Sequence, residues 1–565
     1  MTPRTGHWSS ATVVVLAATV VGGIAGVLYQ RKPATTPISA RNSPADAPTA
    51  PASAQSNAGR QWFVGEGFLR ANAAPRGRRG TSVPPDESTH LFVFNPRPRE
   101  ANVQVTISRV TGAPSTFAIA VAPDTLVDVD LRSRRELPRN EPFWIAIASD
   151  QPVFPQLVRT DHRPWDEVPE TLEMALPQPG PADATFTDWV YPDGFQGGAD
   201  SWAETETISI LNPGAATGRA TLTFHFRDGR RPLTHRVSLP AGRVALVDLA
   251  HLFVAGDLEG PPVVSNDYAT RIVSDVPVVS QQTRRARRRG ATLTVGSKTG
   301  TPTRVSDSQR AREWYYGGGW IRPLGVLPRG PFDHTWQLLF SYGLAATTSD
   351  GRIDTYPAAG GAVAQTIGLG PEQSDLQWLH DEPWRTRLGV GTPWGLKITS
   401  EAPLAATVTT AEYEPWSQGL PGAMGAAPLV PGPLGSEWWM GVARHGGADD
   451  QPVDWHAAWQ FLNPGAVPVR VTVRFHGGQP AVGARAVVVA PGTIVRLSGD
   501  DVPGLTADHP VVVSAVGDGP FLAHAWLRVG ARGVPVTRAL SSAAGLPIAL
   551  AADTTAAGPT TGVRP

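Results

Sequence analysis

SILNP at Ser209–Pro213, followed by RATLTFHFRDG from Arg219 to Gly229, is the stretch whose reading decides the fold. An apolar run ended by Asn-Pro is a strand that stops, because proline cannot donate to a ladder and asparagine supplies turn chemistry. The stretch that follows alternates in character with a period of two, the pattern of a half-buried antiparallel strand. Strand, turn and alternating strand then recur along the chain. FVFNP at Phe92–Pro96 and QFLNP at Gln460–Pro464 repeat the strand end, and LLFSYG at Leu338–Gly343 is a degenerate version.

Two further signatures flank each of these strands. Upstream lies a tryptophan followed by an acid-Gly-aromatic step: Trp62 with Glu66-Gly67-Phe68, Trp189 with Asp193-Gly194-Phe195, and, weakened, Trp314 with Gly318-Gly319-Trp320. Trp438 opens a fourth copy without the step. Downstream lies a small residue, an acid, any residue, a proline and an apolar run, at Ser149, Ser274, Ser400 and Gly517. The opening tryptophans are 127, 125 and 124 residues apart, too regular for chance and too long for a propeller blade or solenoid repeat, so each copy should own a core. The reading is all-β: four tandem antiparallel β-sandwich domains at 61–180, 184–304, 309–430 and 435–550.

Composition agrees with this. The chain has 565 residues, room for several domains, and its 59 glycines and 55 prolines demand frequent turns. Lys plus Arg and Asp plus Glu both number 49, so no global field draws it to nucleic acid, and no nucleic-acid partner is expected. The absence of cysteine excludes disulfides, thiolate metal sites and a cysteine nucleophile.

After a tail at 1–10, residues 11–29 (ATVVVLAATVVGGIAGVLY) carry no charge and approach the roughly 20 residues that cross a bilayer. They read as a transmembrane signal-anchor. A cleaved signal ending in the small-x-small step at Gly23-Ile24-Ala25 is the alternative. Residues 30–60, rich in Pro, Ala, Ser and Thr, read as a disordered linker, and 551–565 as a disordered tail. The segment reads as a single pass with the domains on the extracytoplasmic side, although Arg4 on one side and Arg31-Lys32 on the other leave the orientation open.

The second copy resembles the sensory rhodopsin transducer family, whose small bacterial members share a W-x-x-x-E-G-Y opening, an S-H-E-T-x-x-I-L-N strand and an S-D/N-x-P-I-x-x-Q-x-x-R close. Trp189–Phe195 fits the opening, Glu206–Asn212 the strand, and Ser274-Asp275-Val276-Pro277 through Gln281 and Arg284 the close. Copy one keeps Glu66, Asn95, Asp150, Pro152, Gln156 and Arg159 but has Thr89 in place of the strand Glu. Copy four has His456 at the strand His and His524 at the Gln position. Copy three has Thr407 and Thr410 at the Gln and Arg positions. Members are similar to single sandwiches that assemble as homotetramers, so the resemblance implies a fused, monomeric pseudo-tetramer. The wider fold has been linked to carbohydrate binding.

The candidate ligand residues are Glu66, Gln156, Arg159, Asp193, Glu206, Gln281, Arg284 and His456. One reading has them closing turns and pairing across sheets. The other has acid, Gln and Arg converging at one end of a sandwich to bind a polar ligand, since a saccharide needs directed hydrogen bonds beside an aromatic platform. Trp202, Trp384 and Trp455 are candidates for that platform. The run from Arg284 to Arg289 reads as a solvated loop or a polyanion site. No GxSxG, Walker A or HExxH pattern occurs, and the histidines show no metal spacing, so neither an enzyme, a metal nor a cofactor is expected. Two functions follow: a membrane-tethered, non-catalytic protein binding a saccharide or similar ligand at the cell envelope, or an envelope scaffold with protein partners and no small ligand.

Overall fold

The structure, a computed structural model, describes residues 60–546 apart from 70, 72–86, 163–168, 176, 180–183, 198–201, 255–265, 289–293, 322–324, 328–329, 333–334, 359, 361–362, 414–420, 448–452, 479–480 and 532–536. The predicted anchor, most of the linker, and the tail lie outside the described residues. Among the described residues, no helix is long and apolar enough to cross a membrane.

The described chain is nearly all strand, and the strands repeat one order. In the first unit a five-stranded sheet runs Ser115–Val121, Ala101–Arg109, Pro142–Ser149, Gln61–Phe68, Gln178–Pro179, and a second sheet runs Thr125–Asp130, Glu87–Asn95, Phe154–His162, Pro169–Ala175. The second and third units repeat both sheets strand for strand, and the fourth differs only at the margins. The fifth strand of the first sheet comes from the join to the next unit. Gln178–Pro179, Thr303–Arg304 and Val430–Pro431 each pair back onto the opening strand of their own unit. The fourth unit keeps only a bridge from Trp439 to Leu546 there.

All three sequence signatures are fastenings of this sandwich. The Asn-Pro asparagine ends a second-sheet strand and donates back to the first sheet: Asn95 Nδ2 lies 2.9 Å from Val121 O, Asn212 Nδ2 2.9 Å from Leu239 O, and Asn463 Nδ2 3.0 Å from Val489 O. The closing acid accepts from the amide of the second residue of a neighbouring strand, Asp150 from Asn102 N and Asp518 from Arg470 N, both at 2.8 Å. The indoles of Trp62 and Trp189 donate across the sandwich to Val153 O and Val278 O at 2.8 and 3.2 Å. The asparagine and indole fastenings satisfy buried polar groups that would otherwise cost stability, while those of the acid lie at the exposed sheet end.

The units pack head to tail, the first sheet of each against the second sheet of the next. Trp144 enters the core of the second unit and donates to Ser209 Oγ at 3.0 Å. Val190 and Ala269 meet Tyr342 and Ala405 of the third unit. Gly317 and Gly395 lie against Leu462 and Leu522 of the fourth. Trp439, Val442 and Val512 then pack on Phe92, Phe94 and Phe154 of the first unit. Burial of each such large side chain is worth roughly 1.5–3 kcal/mol. The closing strands follow the same cycle: Pro169–Ala175 packs on Thr294–Gly300, that on Pro421–Pro428, that on Thr537–Ala544, and the last returns to Pro169–Ala175.

Candidate functional site

The acid-Gly-aromatic step sits on a β-bulge. In all four opening strands the ladder slips, at Val64/Gly67, Tyr191/Gly194, Tyr316/Gly319 and Trp439/Val442. A bulge re-aims the side chain it carries. The glycine is required by its neighbour: a Cβ on Gly67, Gly194 or Gly319 would stand 2.3, 2.2 or 2.0 Å from the ring of Phe143, Tyr268 or Trp394. In the fourth unit the same pair is Ala443 opposite Val511, a larger residue facing a smaller one.

In the second unit Asp193, on this bulge, is the centre of a buried charge cluster. Arg284 Nη2 lies 2.7 Å from Asp193 Oδ1, and its Nε lies 3.2 Å from Glu206 Oε2 and 3.5 Å from Glu204 Oε2. Lys298 Nζ also binds Asp193, and Thr409 of the third unit bonds both. Glu206 Oε1 accepts from Tyr268 Oη at 3.0 Å and Gln282 Nε2 at 2.7 Å. Burial opposes ionisation of Asp193, but Arg284 and Lys298 outweigh it and hold the carboxyl at about 2. Burial pushes Glu204 and Glu206 up instead, because two cations serve three carboxylates. Burial likewise pushes Lys298 down, with Arg284 beside it.

Glu66 and Arg159 belong to a cluster between the first two units. Arg159 Nη1 lies 3.3 Å from Glu173 Oε2, while Arg285 of the second unit reaches Glu66 at 3.7 Å and Glu173 at 3.5 Å. Burial raises Glu66 above the usual carboxylate range. Of the Gln positions, that of the first unit serves a join. Gln156 Oε1 accepts from Val442 N of the fourth unit at 2.5 Å, and Gln281 is buried with its amide 3.5 Å from Thr283 Oγ1.

Register shows how the same positions change in the other units. Arg284 stands opposite Glu206, and its equivalents are Arg159 opposite Thr89, Thr410 opposite Gln337, and Leu527 opposite Ala457. Gln337 Nε2 donates to Thr410 Oγ1 at 3.0 Å. The third unit thus replaces the ionic set with a neutral hydrogen-bonded pair and Gly318. The fourth replaces it with Val442, Ala457 and Leu527, all buried and apolar. The members change together because a half-satisfied buried network is worse than none.

Seven of the eight nominated residues are therefore buried against other parts of the protein, and His456 is exposed. The aromatic platform is not open either: Trp384 and Trp455 are buried, and the Trp202 side chain lies outside the described residues. The arginine run is a strand, Val279–Arg288, rather than a loop, and its successive residues point opposite ways, Arg284 into its own unit and Arg285 into the first. A cavity between the first and fourth units, beside Gln156, Met440 and Trp526, has a volume of about 10 Å³, room for one water at most. Among the described residues no group of His, Asp and Glu could hold a metal ion.

Sequence reading missed Glu173, Glu204, Lys298 and the pair Arg528–Glu412, 2.8 Å apart between the fourth and third units. Lys298 carried one usable signal: it is one of three lysines in an arginine-rich chain, at Lys32, Lys298 and Lys397. The others sit at no recurring motif position.

The fold and these buried clusters define a class of protein, a tandem all-β chain whose polar motif residues are turned inward. Residues 184–298 match the family model described as Anabaena sensory rhodopsin transducer, so the second unit is similar to that family. Among solved structures, that of Thermotoga maritima 1070 aligns at 23% identity over 22% of this chain and 97% of its own, with a TM-score of 0.18. A tetra-tandem repeat from the extending region of a large adhesion protein aligns at 12% identity over 80% of this chain and 92% of its own, with a TM-score of 0.08. A glycosyl hydrolase family 2 member from Bacteroides cellulosilyticus DSM 14838 aligns at 7% identity over 88% and 94%, with a TM-score of 0.11. No curated protein matches.

Proposed function

We propose that this chain is a non-catalytic interaction scaffold, a single-chain pseudo-tetramer held at the cell envelope by residues 11–29 and monomeric in solution. One observation carries the reading: the same pair of faces meets at every junction, including the one between the fourth and first units, which no linker joins. Short joins keep neighbouring units at millimolar effective concentration, so contacts too weak for separate chains suffice within one. The inward-facing polar residues support a role in assembly, since the buried ion pairs cross a junction, as Arg285–Glu66 and Arg528–Glu412 do, or brace a strand beside one, as Arg284–Glu206 does. Its partners are then proteins of the envelope, with a rhodopsin-like membrane protein the first to screen, given the family description.

Small-angle scattering on residues 59–546 tests the closure. About 490 compact residues give a radius of gyration near 23 Å by the compact-domain scaling, and an elongated profile would refute it. A polar-ligand site, for a saccharide, is the second reading, favoured by exposed His456, whose ring is 5.9 Å from that of His445, itself 3.0 Å from Asp500. A glycan array on the same fragment separates the two: binding abolished by His456→Ala would displace the pure scaffold.

A further inference from the structure

The four junctions alternate in their chemistry. His225 stands opposite Ala269 in the second unit, and the equivalent residue of the fourth unit is His476, opposite Val512. The same position holds Ser108 in the first unit and Tyr356 in the third. A second position alternates in the opposite phase. The turn residue one or two places before the strand that pairs with the Asn-Pro strand is Gly242 in the second unit and Gly492 in the fourth, at φ +65° and +64°. In the first and third units it is Asp124 and Glu372, held in the same left-handed conformation at φ +49° and +51°. A carboxylate residue where glycine is favoured needs a reason.

The packing supplies it. Head-to-tail contact brings His225 to Glu372, to whose main chain it is hydrogen bonded, and His476 Nδ1 to 3.5 Å from Asp124 Oδ1. Each imidazole also lies on an aromatic ring of the next unit, His225 on Tyr342 at 5.3 Å and His476 on Phe94 at 4.9 Å, with Trp439 of its own unit at 5.3 Å on the other side. The junctions so marked are second-to-third and fourth-to-first, which lie opposite each other. The remaining two are crossed by buried ion pairs, Arg285 with Glu66 and Glu173, and Arg528 with Glu412.

We infer that the second-to-third and fourth-to-first junctions are paired acid-sensitive joints, at which the assembly loosens into two halves, the first with the second unit and the third with the fourth. The charged groups facing His225 are Glu372 and Arg271, the latter paired to Asp188 and, across the junction, to the half-exposed Glu372 at 3.3 Å; those facing His476 are Asp124 and Arg474. Glu372 and Asp124 have side chains 55% and 77% exposed, so water screens their attraction. The imidazoles are far more enclosed, and burial is the largest influence on both, lowering them below the ordinary histidine value. A histidine lowered on packing contributes stability above the free value of about 6.5 and loses it as pH falls through the packed value.

The inference rests on the closure proposed above, and the test keeps the two apart. Hydrogen exchange of the full-length protein is compared at pH 7.5 and 5.5 after correction for intrinsic rates. Strands Gly218–Phe226, Thr335–Gly343, Glu87–Asn95 and Val469–His476 should lose up to about tenfold of their protection, the limit that a free histidine value of about 6.5 sets at pH 5.5, while strands at the Arg285 and Arg528 junctions keep theirs. His225→Gln with His476→Gln should abolish the difference. Asp124→Gly with Glu372→Gly, which restores the residue used in the other units, should enlarge it. A uniform response, a gain of protection in acid, or a response unchanged by either double variant overturns the joints. An elongated scattering profile at pH 7.5 would overturn the closure itself.

Discussion

Replacing Arg284 by methionine removes the cation that three carboxylates share. Asp193, Glu206 and Glu204 lie 2.7, 3.2 and 3.5 Å from it, with side chains 3%, 0% and 10% exposed. Only Lys298 would remain to balance them. Breaking a buried ion pair by removing one partner costs roughly 3–5 kcal/mol, because the other charge stays buried. Arg284→Met should cost about that much, seen as a lowered guanidinium midpoint followed by tryptophan fluorescence. The fourth unit supplies the control, since it fills the equivalent positions with Val442, Ala457, Leu527 and Ser541. Asp193→Val, Glu206→Ala, Arg284→Leu and Lys298→Ser, combined with Glu204→Gln so that no buried carboxylate is left without a cation, should therefore recover most of what Arg284→Met loses. A single variant costing under about 1 kcal/mol, or the combined variant no better than the single, would refute the view that this cluster is an all-or-none structural network.

Two further outcomes are expected. Gly194→Ala forces a methyl toward the Tyr268 ring, 2.2 Å from the Cβ position, and should cost about 1–3 kcal/mol in thermal or denaturant unfolding, whereas Ala443→Gly in the fourth unit should cost less. Asp193, held at about 2, contributes stability present above the free carboxylate value and lost as pH falls through 2; the gap between wild type and Asp193→Asn should narrow by about 2 kcal/mol from pH 4.5 to 2, and a constant gap would remove that ion pairing from the account.

The sequence by itself determined the all-β class, the repeated unit and the markers of its strands. These are local consequences of residue chemistry: proline ends a ladder, alternation marks a half-buried strand, and Asn95, Asn212 and Asn463 each fasten the turn that their motif announced. It also nominated Asp193, Glu206 and Arg284, which the fold does bring together. What those residues face was decided only by the tertiary structure. Arg284 and Arg285 are neighbours in one basic run, yet a strand sends adjacent side chains to opposite faces, so one serves its own unit and the other the first. Their burial depends on a neighbouring unit more than 100 residues away in the chain, as in the bond from Gln178 Nε2 to Ser280 O at 2.9 Å. No local pattern encodes that, because a motif records which residues recur, while the face they meet is set by how the units pack.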